Sequence, residues 1–277
     1  MVNILSKASN VYDRYLNADP LVSVERACAI TETVASVEYL STTASRKHGG
    51  LNDWKYLKSQ FPPGVATIWN KLSEEQAETI FKTIQCLRIG HNLILASPIK
   101  NNKIRAWCNV FEAGTHLFLQ PKLLYGTDGS DQLSFLGNAA AALGRVGGSE
   151  TTRKAASDFL ALQVILSYIV AGLAKMPGSR WANGDALEKI MGTQTYGDNK
   201  LYGLLRKYPK LGKSITRSTV IIESAMPLGL ATKGSTKLTL LLFGMFHLAN
   251  AKFMGLGRFV LPFISTYPAI WSLRTRR

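Results

Sequence analysis

The stretch FLALQVILSYIVAGLAKMPGSRW, residues 159–181, decides the fold class. From Phe159 to Ala174 it passes 16 residues without a charge, reaches Lys175, breaks at Pro177–Gly178 and presents Trp181. Uncharged runs of this length are helices buried either in a protein core or in a bilayer. Working outward, apolar segments recur at 20–42, 79–98, 104–120, 131–145, 157–176, 216–232, 236–252 and 257–273, joined by short basic or Gly/Pro-rich links. The chain therefore reads as all-α.

None of these segments reaches the roughly 18 uncharged residues expected of an isolated membrane-spanning helix. Two readings follow: buried helices of a soluble bundle, or spans whose polar residues face a protein-lined interior. Lys175, Lys252, Arg258 and Arg274 stand at helix ends, where long cations can reach an interface, and this favours the second. The expected fold is a polytopic transmembrane helical bundle, multi-pass in the cell membrane, with the lipid bilayer as partner. In this reading 177–217 and the Arg274–Arg277 tail lie on the same basic side. Either Ser218–Thr232, with Glu223 and Pro227, then forms a broken or re-entrant helix, or one other segment does not span; orientation stays open. The first hundred residues are more polar; Glu25, Arg26, Glu32 and Glu38 on the first long helix must turn inward or lie at an interface.

Composition tilts the same way without settling it. Hydrophobic residues make up 46% and charged residues 18%, below the roughly 25% usual in soluble domains, yet mean hydropathy is only +0.04. The net charge of +15 could serve nucleic acid or anionic headgroups. Its basic residues are spread between apolar runs instead of gathered with stacking aromatics, so no nucleic-acid partner is expected. Cys28, Cys86 and Cys108 share no metal-ligand spacing and read as small apolar residues; no metal is expected. The N-terminus lacks the apolar core of a cleavable signal.

Four places could carry chemistry. Lys175 against an apolar wall could lose its proton and act as a base, or be a helix-end cation. His247, with Asn250 three residues on, sits in an apolar helix among Phe243, Phe246 and Phe253, either as a site residue or as a satisfied core histidine. Asp128, Ser130 and Asp131 could form a polar site or cap a helix. A buried Glu223 would need a proton or a cationic partner.

YIVAGLAKMPGSRW, then FHLAN, GLGRF and TYPAIW, resemble the membrane domain of vitamin K-dependent γ-carboxylases. That domain recurs in bacteria as the horizontally transferred transmembrane (HTTM) family. Arg26 and the Asp128–Asp131 stretch stand where the family has an arginine and a polar loop. The likeness covers 101–277 best and 1–100 faintly, as one domain over 1–277. It implies a reduced quinone cofactor (menaquinol or vitamin K hydroquinone) and Lys175 as the base. His247 would act on the bound ring, with Trp181, Asn250, Glu223, Asp128 and Asp131 lining the site and a small peptide as substrate. Two departures stand out. Gln132 or a neighbour replaces a carboxylase histidine, and no counterpart of the carboxylases' lumenal domain follows. The alternative within the family is a membrane helper that matures a secreted peptide toxin.

Overall fold

The computed structural model describes residues 2–276, and its regular structure is helical. The longer helices are α1 (Val2–Leu16) and α2 (Pro20–Ser41), followed by the short α3 (Trp54–Leu57) and α4 (Pro63–Asn70). Then come α5 (Glu74–Ala96), α6 (Asn102–Leu119), α7 (Gly129–Val146) and α8 (Glu150–Lys175). The second half holds the short α9 (Ser179–Asn183), α10 (Ala186–Met191) and α11 (Asn199–Lys207). It ends with α12 (Pro209–Ser224), α13 (Lys233–Met254), α14 (Val260–Ser265) and α15 (Tyr267–Thr275). Local chemistry sets the boundaries. Ser73 with Gln76, Asp128 with Asp131, and Thr232 with Ser235 form reciprocal caps that satisfy the first free N–H groups of α5, α7 and α13. Gly255, at φ 70°, ends α13 in the left-handed conformation. The chain does break within 218–232: α12 stops at Ser224 and a 3₁₀ turn, Met226–Leu230, follows.

The helices pack as two compact units, Leu21–Ser157 and Met1–Pro20 with Asp158–Arg277. In the first unit the core is largely polar. Glu25 of α2 is fully buried and accepts from Arg105 of α6 at 2.9 and 3.1 Å, from Asn109 at 2.6 Å, and from Arg145 of α7. One heptad along α2, Glu32 takes Arg88 of α5, whose Nε donates to Glu112 of α6 at 3.0 Å. Gly137 and Gly144 let α2 lie close to α7; a Cβ at Gly137 would meet Val24 Cγ1 at 2.5 Å. In the second unit Tyr12 of α1 donates to the Lys237 carbonyl at 2.9 Å, and Trp271 of α15 donates to Asn17 at 3.2 Å. The outer faces of α8 and α13 expose Leu162, Leu166, Val170 and Leu173, and Leu238, Leu241, Leu242, Met245 and Leu248. Such stripes mark contact surfaces.

The all-α reading stands, but the polytopic transmembrane bundle is corrected. Among the described residues only α8 is long and apolar enough to cross a bilayer, and a third of its most apolar window is buried inside the protein. The other long helices fail for a physical reason. Several spend their inward faces on ionisable side chains: Glu25 and Glu32 on α2, Arg88 on α5, Arg105 and Glu112 on α6, Arg145 on α7. Such residues lower the hydropathy that a span requires. The multi-pass cell-membrane location, the bilayer as partner and the small secreted peptide tied to it lose their structural basis with the bundle. Of the four charged residues on α2, Glu25 and Glu32 point inward, while Arg26 and Glu38 are exposed.

Candidate functional site

The feature most clearly shaped for a ligand lies in the Leu21–Ser157 unit. It is a cavity of about 530 Å³, within the 300–1,000 Å³ range of small-molecule sites. Three separate segments build it. The turn after α2 and α3 supply Arg46, Lys47, Asp53, Trp54, Lys55 and Lys58; the α4–α5 corner supplies Trp69 and Glu78; the turn after α6 supplies Lys122. Trp69 is anchored by Phe118, with ring centroids 4.9 Å apart, in an apolar cluster with Phe81 and Leu119.

The acids of this cavity are largely occupied. Glu78 takes a two-pronged contact from Arg46 at 3.0 and 3.1 Å, and Arg46 itself stacks 4.0 Å over Phe81. Asp53 accepts from the backbone of Gly49 and Lys55 at 2.9 Å each and pairs with His48 at 3.3 Å. Lys122 is different. It is only 5% exposed, its ammonium lies 6.0 Å from the Trp69 ring centre, and it has no hydrogen bond or ion pair among the described residues. Burial pushes its pKa below the ordinary lysine value, opposed by Glu78. Lys47, Lys55 and Lys58 add exposed charge at the rim that, like Glu74, has no ion pair among the described residues. The arrangement can therefore hold an anion over an aromatic floor.

The residues singled out from the sequence fall elsewhere. In the other unit, Lys175 donates to the Ala171 carbonyl at 3.1 Å, pairs with Glu223 and lies 5.3 Å from the Trp181 ring centre. Burial raises the Glu223 carboxyl, opposed by Lys175. His247 bonds Tyr168 Oη through Nε2 at 2.7 Å and stacks on Phe263 at 4.4 Å. Burial holds its pKa down at about 4, so the ring is neutral at pH 7. Its Nδ1 is buried without a hydrogen-bond partner among the described residues. Asn250 is half-buried one turn further on, and its side chain makes no hydrogen bond among the described residues. Thus Lys175, Glu223 and Trp181 are brought together, and His247 joins Tyr168, which feels the Glu223 charge. Asp128 and Asp131 belong to the Leu21–Ser157 unit and cap α7; Asp131 also accepts from Tyr39 at 3.4 Å. Lys122, Arg46 and Trp69 carried no signal in the sequence, because the cavity joins segments far apart in the chain.

No family model, no curated protein and no solved structure matches this chain. The HTTM-type, carboxylase-like function is therefore corrected, together with its alternative of a membrane toxin-maturation helper. No match carries either, the multi-pass frame both require is not formed by the described helices, and the vocabulary of membrane spans and quinone chemistry goes with them. Lys175 moreover faces a carboxylate, where a lysine base needs an apolar wall that disfavours its ammonium.

Proposed function

We propose that the Leu21–Ser157 unit is a binding module for a small aromatic anion, such as an aryl phosphate or aryl carboxylate, in the Lys122 cavity. The observation that carries this reading is Lys122, only 5% exposed and without a direct hydrogen bond or ion pair among the described residues. A charge so far removed from water, balanced only by the more distant Glu78, Asp53 and Glu74, is costly, and a bound anion would give it a direct partner. Trp54 offers flat apolar surface for the ring, and the buried Trp69 backs the cavity wall. The lysines at the rim raise the local concentration of anions before contact. Binding is the whole of the proposal.

Phenyl phosphate is a suitable probe. Titrated into the intact protein, it should change tryptophan emission saturably, because its ring would contact Trp54. Lys122→Met should abolish the saturable change while leaving the far-ultraviolet helix signal intact. A protein whose emission is indifferent to phenyl phosphate, or a Lys122→Met variant that responds like the parent, would refute the proposal.

A further inference from the structure

A second feature of the same unit lies in its helical interior and involves none of the cavity's lining residues. Arg88 is shared by two buried carboxylates, with Nε donating to Glu112 at 3.0 Å and Nη2 to Glu32. Glu32, Arg88 and Glu112 are all 2% exposed or less. One guanidinium faces two carboxyl groups, so the cluster holds one negative charge too many if both acids ionise. In a low-dielectric interior such an excess is relieved by neutralising one acid.

The surroundings of the two acids are closed to water. The second oxygens of Glu32 and Glu112 are buried without a hydrogen-bond partner among the described residues. Gln85, one turn before Arg88 on the inward stripe of α5, is fully buried with both amide atoms unpartnered among the described residues. Asn92, one turn after Arg88, is fully buried beside Glu112 and, like Arg88, favours its ionised form.

We propose that the Glu32–Arg88–Glu112 cluster is a proton-binding site, in which Glu112 takes one proton from solvent as pH falls through neutrality and leaves Arg88 paired with Glu32 alone. Burial is the main cause, raising Glu112 to about 7, with Arg88 opposing and Glu32 adding to it. Among the other groups in this environment, Glu25 lies one heptad back along α2 and is paired with both Arg105 and Arg145. Tyr39 of α2 acts on Arg88; Cys108 and His116 lie one turn either side of Glu112 on α6; Asp131 of α7 reaches the cluster only through Tyr39. Burial lowers His116 and raises Cys108, so both are neutral at pH 7, and neither supplies the missing charge.

Infrared difference spectroscopy reads this proton directly through the stretch of a protonated carboxyl. The intact protein should show one such band that is half-lost at about pH 7, and Glu112→Gln should lack it. Because Glu112→Gln can disturb the fold, Glu32→Gln gives an independent reading. With Glu32 neutral, Arg88 serves Glu112 alone, and the midpoint should fall by about one pH unit or more. A band missing from the parent protein at pH 6 would overturn the proposal. So would a band that persists in Glu112→Gln, or a midpoint unmoved in Glu32→Gln.

Discussion

Acidification should weaken the α13 region through His247 alone. In the fold its imidazole titrates at about 4 because burial disfavours the charged ring, against 6.5 for a free histidine. The unfolded chain therefore takes up the proton first as pH falls. Stability from this group is complete above about pH 6.5, declines as pH drops toward 4, and is flat below. The full difference corresponds to about 3 kcal/mol, and the part lost between pH 7.5 and pH 5 to about 2 kcal/mol. At 3% exposure, solvent screening reduces this little. Deuterium exchange of α13 peptides in the parent protein and in His247→Gln, compared at each pH, removes the chemical pH dependence of exchange. Glutamine can still accept from Tyr168 but does not titrate. The parent should lose about 30-fold more protection than the variant between pH 7.5 and pH 5. Equal losses in the two proteins would show that His247 is not held neutral by the fold.

Glu25→Gln should be among the most damaging single substitutions, at about 3–5 kcal/mol, because it leaves Arg105 and Arg145 buried against a neutral amide; a urea midpoint within error of the parent would contradict the role given to this hub. Gly172→Ala should cost about 1–3 kcal/mol by overpacking, since its Cβ would lie 2.3 Å from Ser224 Oγ and 2.6 Å from the Ser224 backbone nitrogen. Ser224→Ala should not rescue that loss in thermal melts, because the backbone contact remains; full rescue would mean that the hydroxyl alone sets the distance.

Helix positions were legible in the sequence where apolar periodicity was strong. The segments at 20–42, 104–120, 131–145 and 236–252 correspond to α2, α6, α7 and α13 within a few residues. The apolar segment at 257–273 runs on without a charge from Phe259 to Leu273, but α14 and α15 divide at Thr266, just before Pro268. What these helices bury was harder to read. Gln85–Arg88–Asn92 and Arg105–Asn109–Glu112 carry inward polar stripes at helical spacing. That signal lies in the sequence, but polar residues at helical spacing look the same whether they face a core or solvent. Asp128 and Asp131 were legible as caps, since an acid preceding a helix and a second three residues on is a local pattern. Lys175 was found, but its partner Glu223 lies 48 residues away, and only folding shows that the two meet. The Lys122 cavity was illegible for the same reason. Nothing in QPKLLYG, residues 120–126, distinguishes a buried lysine from a solvated one until Trp69 and Arg46 are placed beside it.

Comparing phenyl phosphate with its uncharged analogue benzyl alcohol by calorimetry, in the parent protein and in Lys122→Met, isolates the charge that the cavity is proposed to recognise. The parent should prefer the phosphate by at least about tenfold, and most of that preference should vanish in Lys122→Met, because the buried counter-charge is gone. An equal preference in both proteins, or benzyl alcohol binding as tightly as phenyl phosphate to the parent, would contradict Lys122 as the anion's partner.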